Sequence, residues 1–422
     1  MEIMDIHGGK KLSGSVTIGG AKNSTVALIP ASILSQTKVV FDSVPRIKDV
    51  DNLRSILEDM NVSSSMDESV LSIDPTQIKE IPLTSGKIQS LRASYYFMGA
   101  LLSRFGEAIV SFPGGDDIGP RPIDQHVHGF EALGAEVHFK DDSIHIKAPK
   151  TGLVGTTIEF DFISVGATIN MILASVLAHG QTTIENAARE PEIIDLATFL
   201  NNMGAKIRGA GTSQIKIEGV RSLSSTNSHT IIPDRIEAGT YIIIAAAVGN
   251  GVLVKNVIPE HLDLFLGKLE EMGVNMVIGE DSIYVYPTER LTNVEVKTSP
   301  FPGFATDLQQ PISALMFLGE GEGIIQDTIY PKRIRHIPEL NKMGANIWNE
   351  DGIIHIQKSG ALIGANVTAD EIRAGASLMI TGLVAPGETK IFDAGNILRG
   401  YDRVVEKLTG LGADVKIIKG EK

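Results

Sequence analysis

A chain of 422 residues, 43% hydrophobic and 5% aromatic, is ample for a buried core and too long for one ordinary domain. A formal charge of -13 argues against nucleic acid and anionic membrane as partners, so any anionic ligand must be held by local arginines. The absence of cysteine excludes a disulfide framework, a thiolate metal site and a thiol nucleophile, which leaves catalysis to oxygen and nitrogen groups.

The first residues, MEIMDIHGGKKL, lack the apolar core of a signal peptide, and every long apolar run is broken too early to span a bilayer. NMILASVLAHG and YIIIAAAVGNG are expected as buried helices of a cytoplasmic protein. From Met60 onward one pattern recurs: a helix ends in Met or Leu, usually followed by Gly-Ala or Gly-Val, and then a strand, a turn and a second strand follow. Its copies start at Met60, Leu133, Met203, Met272, Met343 and Leu411, 68 to 73 residues apart. Each copy also carries a second helix, poor in charge and rich in small residues, that feeds another strand. The unit therefore reads strand, helix, strand, helix, strand, strand, with the uncharged helix inside and the polar helix, such as DVDNLRSILEDMNV, outside.

The sixth copy stops after one strand, and EIMDIHGGKKLSGSVTI at the start resembles the missing piece. This predicts an α/β protein of two domains with three repeats each. Residues 22–231 form one, and residues 1–21 with 232–422 form the other, joined by two strands suited to a hinge.

The N-terminal turns of the inner helices carry the oddest polar residues: Lys22 and Asn23, Arg92, Ser164 with Gly166, Arg235 and Glu237, Thr306 and Asp307, and Arg373. Unpaired N–H groups and the positive end of the helix dipole suit anions. Charged turns at Asp49 and Asp51, Arg189 and Glu190, Arg333 and Arg399 are read as caps on the strands that follow. Arginines at one edge of both domains suggest bidentate grips on phosphate and carboxylate. In the second repeat the stretch from Pro113 to Val137 holds Asp116, Asp117, Arg121, Asp124 and His126 on a Gly- and Pro-rich loop, and residues 113–126 are read as an active-site lid.

GGAKNS, LRAS, PGGDDIGPRPIDQH, SVGAT, ENAAREPEI, PDRIEAGT, ATDLQQ, HIPEL and LRGYDR, in this order over nearly the full chain, resemble the enolpyruvyl transferase family, on its UDP-N-acetylglucosamine 1-carboxyvinyltransferase branch. The resemblance implies an inside-out α/β barrel pair of six such units. It implies transfer of the enolpyruvyl group of phosphoenolpyruvate to the 3-hydroxyl of UDP-N-acetylglucosamine, with loss of phosphate, in the first committed step of peptidoglycan synthesis. It also implies roles: Lys22, Arg121 and Arg399 on the phosphate, with Arg92 in the same basic cluster, and Arg333 and Arg373 on the carboxylate or the closed interface. Asn23 and Asp307 address the sugar, Asp307 as base. Arg121, Pro122, Ile123, Asp124 and Gln125, with Ser164, Val165, Gly166 and Ile329, are implied as nucleotide-sugar contacts. No cofactor and no metal is expected, and the enzyme is expected to be monomeric.

Two positions depart from the family's best-known members. Asp116 stands where they carry a cysteine, and as a general acid it needs its pKa raised from roughly 3.9. Phe162 stands where some relatives have a lysine. Three other readings compete. The sibling 3-phosphoshikimate 1-carboxyvinyltransferase is disfavoured by GGAKNS and IGPRPIDQH, while a catalytically weakened nucleotide-sugar-binding paralogue has only Asp116 and Phe162 in its support. A metal on His126 and His128 lacks a third ligand at useful spacing.

Overall fold

The repeat read from the sequence has a definite strand and helix arrangement. In its clearest copy the strand Thr157–Glu159 lies parallel to Gln181–Glu185 with the helix Val165–Ser175 between them in sequence. The helix Pro191–Asn202 follows, and the hairpin of Lys206–Arg208 and Gln214–Glu218 returns antiparallel, with Gln214–Glu218 paired against Gln181–Glu185. Parallel neighbours need a long crossover and antiparallel neighbours only a turn, which is why a helix separates the first pair and a short loop the last. Along Gln214–Glu218 the side chains of Ile215 and Ile217 are buried and those between them exposed, the alternation expected of a sheet with one wet face.

We describe a computed structural model of the chain, in which residues 1–84, 86–89, 92–112 and 123–420 are described, the side chains of residues 87, 89, 92 and 93 excepted. By its internal contacts the chain divides into two units, one of residues 1–19 and 233–420, the other of residues 20–112 and 123–232. Each has its own hydrophobic core.

In the first unit the helices Arg235–Val248, Gln309–Met316 and Ile372–Val384 pack against one another, and three four-stranded sheets surround them. All three helices are buried nearly all round, which explains their lack of charge beyond the first turn. In the second unit the helix Tyr96–Phe105 packs against both Lys22–Ser32 and Val165–Ser175, inside two four-stranded sheets and one three-stranded sheet. Outer helices are amphipathic instead. Lys48–Asp59 buries Val50, Leu53, Ile56 and Leu57, spaced as one helical stripe. Asp49 and Asp51 belong to the first turn of this helix rather than to a cap on the preceding strand, because the helix starts one residue before Asp49 and its N-terminal dipole favours acidic side chains there.

The strand Glu2–Gly8 lies between Gly387–Phe392 and Asp414–Lys419, antiparallel to both, and so occupies the place that the sixth copy leaves open. Leu12–Thr17 pairs in parallel with Gly249–Lys255, and at the other crossing His229–Thr230 pairs in parallel with Val39–Asp42. Among the described residues no helix is long and apolar enough to cross a membrane.

Candidate active site

In the unit of residues 1–19 and 233–420, the polar centre is built around Asp307. A short turn, Thr306–Leu308, precedes the helix Gln309–Met316 and presents the carboxylate a quarter exposed. Arg333 reaches it from the segment after the strand Glu322–Gln326, with Nη1 2.8 Å from Oδ1. Arg373, in the first turn of Ile372–Val384, takes the other oxygen, with Nη2 3.2 Å from Oδ2. Both arginines are buried. Arg333 is clamped from its far side by Glu371, whose oxygens accept from Nε at 3.1 and 3.2 Å and from Nη2 at 2.9 Å. Burial works against both guanidinium charges. For Arg333 the carboxylates of Asp307 and Glu371 outweigh it, and for Arg373 the Tyr401 phenol, Asp307 and Asp234 do, so both stay protonated.

Arg373 has capacity left. Its Nη1 is buried and makes no hydrogen bond among the described residues, while its guanidinium carbon lies 5.3 Å from the centre of the Tyr401 ring. A charged donor shut off from water without an acceptor is costly, and an anionic ligand oxygen relieves that cost. Asp327 fixes the surroundings. It accepts from Thr298 at 2.8 Å, from Thr306 at 2.6 Å, and from the backbone N–H groups of Ile329 and Tyr330 at 2.9 Å each. His336 is buried, and burial with the neighbouring Arg333 charge lowers its pKa to about 3, so it is neutral and does not compete for Asp307. Arg399 ends the short helix Gly395–Leu398 and is partly buried.

A second buried cluster sits at the start of Arg235–Val248. Asp234 caps that helix through the N–H groups of Ile236 and Glu237. Glu237 accepts from the backbone N–H of Gly19 at 2.8 Å and from Lys407 at 2.6 Å, and Lys407 also reaches Asp402 at 3.1 Å. A Cβ on Gly19 would stand 3.0 Å from that Asp402 carboxylate, a tight fit that the Asp402 side chain would have to shift to accept. Burial pushes the Glu237 carboxyl up to about 7, opposed by Lys407 and helped by Asp234. A carboxyl with its pKa raised on folding binds its proton more tightly in the native state, so its stabilising effect is full below the unfolded value and fades as pH rises towards 7. Thermal melts from pH 5 to 8 should therefore fall less steeply for Glu237→Gln than for the parent chain. Parallel curves would show that Glu237 does not titrate in this range.

In the unit of residues 20–112 and 123–232, Lys22 opens the helix Lys22–Ser32 and its ammonium is 3.2 Å from the buried carboxylate of Asp49. Asn23 follows in the same turn, partly exposed. Ser24 donates a short hydrogen bond to Asp195, which also holds His229 at 2.8 Å, so the turn carrying Lys22 and Asn23 is pinned from below. Gly20 is obligatory, because a Cβ there would overlap the carbonyl oxygen of Ser43.

Asp124 and Gln125 open the helix Asp124–Ala132 behind Ile123, with Asp124 exposed and Gln125 buried. The Gln125 amide exchanges two hydrogen bonds with Asp161, donating to its carboxylate at 3.1 Å and accepting from its N–H at 3.0 Å. Ser164 caps Val165–Ser175 by accepting from Ala167 at 3.2 Å, and Gly166 lies where a Cβ would meet the His126 ring at 3.2 Å. His126 shares a 2.9 Å hydrogen bond with Asn170 and packs on Tyr95. His128 is exposed, as is Phe162.

Asp307, Arg333 and Arg373 are thus brought together, and so, in the other unit, are Gln125, Ser164 and Gly166 around His126 and Asp161. Ile329 lies beside Asp327. Asp116, Arg121 and Pro122, and with them most of the lid, fall outside the described residues, as does the side chain of Arg92. Sequence reasoning missed Glu371, Asp327, Asp195 and the pair of Glu237 with Lys407. Only Glu371 left a usable signal, as the acidic neighbour of Arg373 in EIRAG.

Residues 6–408 match the family described as EPSP synthase (3-phosphoshikimate 1-carboxyvinyltransferase). The chain is 65% identical over 419 residues to UDP-N-acetylglucosamine 1-carboxyvinyltransferase 2 of Latilactobacillus sakei, covering 99% of this chain and 100% of that one. It is 64% identical, with the same coverage, to UDP-N-acetylglucosamine 1-carboxyvinyltransferase of Lactobacillus johnsonii. Among solved structures it is similar to the enolpyruvyl transferase NikO from Streptomyces tendae, with a TM-score of 0.90 at 25% identity over 100% of this chain and 99% of that one.

Proposed function

The chain belongs to the EPSP synthase family of carboxyvinyltransferases, and on that premise we propose how its residues carry out the reaction. It is an enzyme that transfers the enolpyruvyl group of phosphoenolpyruvate to the 3-hydroxyl of UDP-N-acetylglucosamine and releases phosphate, committing the nucleotide sugar to peptidoglycan. The full-length identity to relatives of that name carries this assignment over the shikimate reaction. We place the reaction in the cytoplasm, performed by a monomer.

Phosphoenolpyruvate is unreactive towards an alcohol until C3 gains a proton and positive charge develops at C2. The sugar oxygen then adds to C2, its proton passing to a base, and phosphate leaves from the tetrahedral adduct as C3 gives up a proton. Asp307 serves as the base. Two guanidinium contacts fix the plane of its carboxylate, and an ionised carboxylate is an acceptor able to take up the hydroxyl proton. The open Nη1 of Arg373 is the observation that best supports an anionic ligand beside Asp307. In this proposal Arg373 and Arg333 receive the carboxylate of phosphoenolpyruvate, and Lys22, Arg92, Arg121 and Arg399 hold the phosphate. Pre-aimed cations stabilise the departing charge without reorganising. Asn23 orients the sugar, and Asp124, Gln125, Ser164, Val165, Gly166 and Ile329, with Pro122 and Ile123, line the path of the nucleotide.

Asp116 acts in this scheme as the acid towards C3. Release of inorganic phosphate from phosphoenolpyruvate tests the assignment, with UDP-N-acetylglucosamine and shikimate 3-phosphate offered in turn. Release with the nucleotide sugar alone is the expected result. Binding of the nucleotide sugar without release would favour a sensor.

The epoxide drug fosfomycin alkylates a thiol at the lid position in cysteine-bearing relatives. With Asp116 there, turnover is expected to persist in its presence and the intact mass to stay unchanged. Rapid inactivation with an adduct on residues 113–126 would refute this.

A further inference from the structure

We propose that Asp5, His7 and Glu388 form a binding site for one divalent transition-metal ion of the zinc class, apart from the residues that serve the reaction. The strand Glu2–Gly8 turns Met4 and Ile6 into the core, which leaves Asp5 and His7 together on its other face. His7 is paired directly across from Glu388 on the strand Gly387–Phe392. One donor atom from each of the three lies within 4.8 Å of the others. Two metal–ligand bonds of ~2.0–2.2 Å span up to ~4.4 Å, so small side-chain rotations bring all three onto one ion.

Convergence of acidic groups alone would mean little on a charged surface. What singles out this one is Asp5. It is only 3% exposed, and its Oδ1 makes no hydrogen bond among the described residues. That oxygen faces His7, whose Nε2 is 3.9 Å away, beyond hydrogen-bond reach. A carboxylate oxygen taken out of water with no donor is expensive, and a cation shared with an imidazole nitrogen satisfies it.

The neighbouring lysines do not fill the role. Lys416 is 3.3 Å from Asp5 Oδ2, the other oxygen, and Lys390 is 3.1 Å from Oε1 of Glu388. One oxygen of each carboxylate is therefore left for a metal. His7 and Glu388 are each close to half exposed, which provides an entry path and room for water to complete the coordination. One nitrogen and two oxygens suit zinc, cobalt or nickel better than calcium or magnesium, which prefer all-oxygen sets. Spacing rules do not find such a group, since its members come from opposite ends of the sequence.

Calorimetric titration of the chelator-stripped full chain with Zn²⁺ should show one saturable site. His7→Ala and Glu388→Gln should each weaken binding at least ~10-fold while phosphate release is unchanged. Co²⁺ in place of Zn²⁺ should give a visible ligand-field spectrum that His7→Ala abolishes, a readout that a merely destabilised strand would not imitate if the variant's melting curve matches the parent's. No saturable site, or equal binding by parent and variants, overturns the proposal.

Discussion

Asp307→Asn is expected to lower kcat for phosphate release by ~10²–10⁴-fold, the usual contribution of a positioned acid or base. Asparagine keeps an acceptor for Arg333 and nearly the same shape, so the melting temperature should change far less than the rate. The loss belongs in kcat rather than in KM for phosphoenolpyruvate, because the amide removes proton acceptance and leaves the arginines in place. A variant that retains more than a tenth of the parent kcat would remove Asp307 from the role of base. Asp116→Ala, measured alongside, separates the two carboxyl groups. If turnover survives that change, the lid aspartate is not the essential acid.

The second large effect is on stability. Glu371→Ala leaves the buried Arg333 guanidinium without the three contacts that Glu371 supplies, and breaking a buried ion pair from one side costs about 3–5 kcal/mol. Denaturant unfolding of the unit measures it. The companion test replaces both partners, Arg333→Met with Glu371→Leu, which removes the guanidinium that only Asp307 would still neutralise and should recover part of the lost stability, yet should not restore turnover. If the single and double variants are equally unstable, the penalty comes from packing and not from an under-compensated charge.

What the sequence reveals, and what it hides, follows from distance along the chain. The repeat is legible because each copy must make the same turn out of its outer helix, and Met-Gly-Ala or Leu-Gly-Ala recurs where that turn occurs, as at Met203, Met343 and Leu411. The inner helices are legible because a helix buried on every side tolerates charge only at its ends. Lys22, Asp307 and Arg373 stand out for that reason, each in or just before the first turn of such a helix. Their partners do not stand out. Arg333 meets Glu371 across 38 residues, and Glu237 meets Lys407 across 170, and no local rule pairs residues so far apart. Asp195, on the helix Pro191–Asn202, links Ser24 to His229 across 171 and 34 residues.

The pairing of Glu2–Gly8 with Gly387–Phe392 and Asp414–Lys419 also bears on synthesis. The strand Glu2–Gly8 leaves the ribosome well before Gly387–Phe392 and Asp414–Lys419, and its sheet cannot close until they follow. During that wait residues 20–232, which contain their own core, are free to fold as a unit. The flanking unit has contacts of very high sequence separation, the kind that slow folding most, and an unpaired strand bearing Met4 and Ile6 is exposed to aggregation until its two partner strands emerge. In nascent chains stalled at increasing lengths, protease resistance should therefore appear first in the middle of the sequence and last at its beginning.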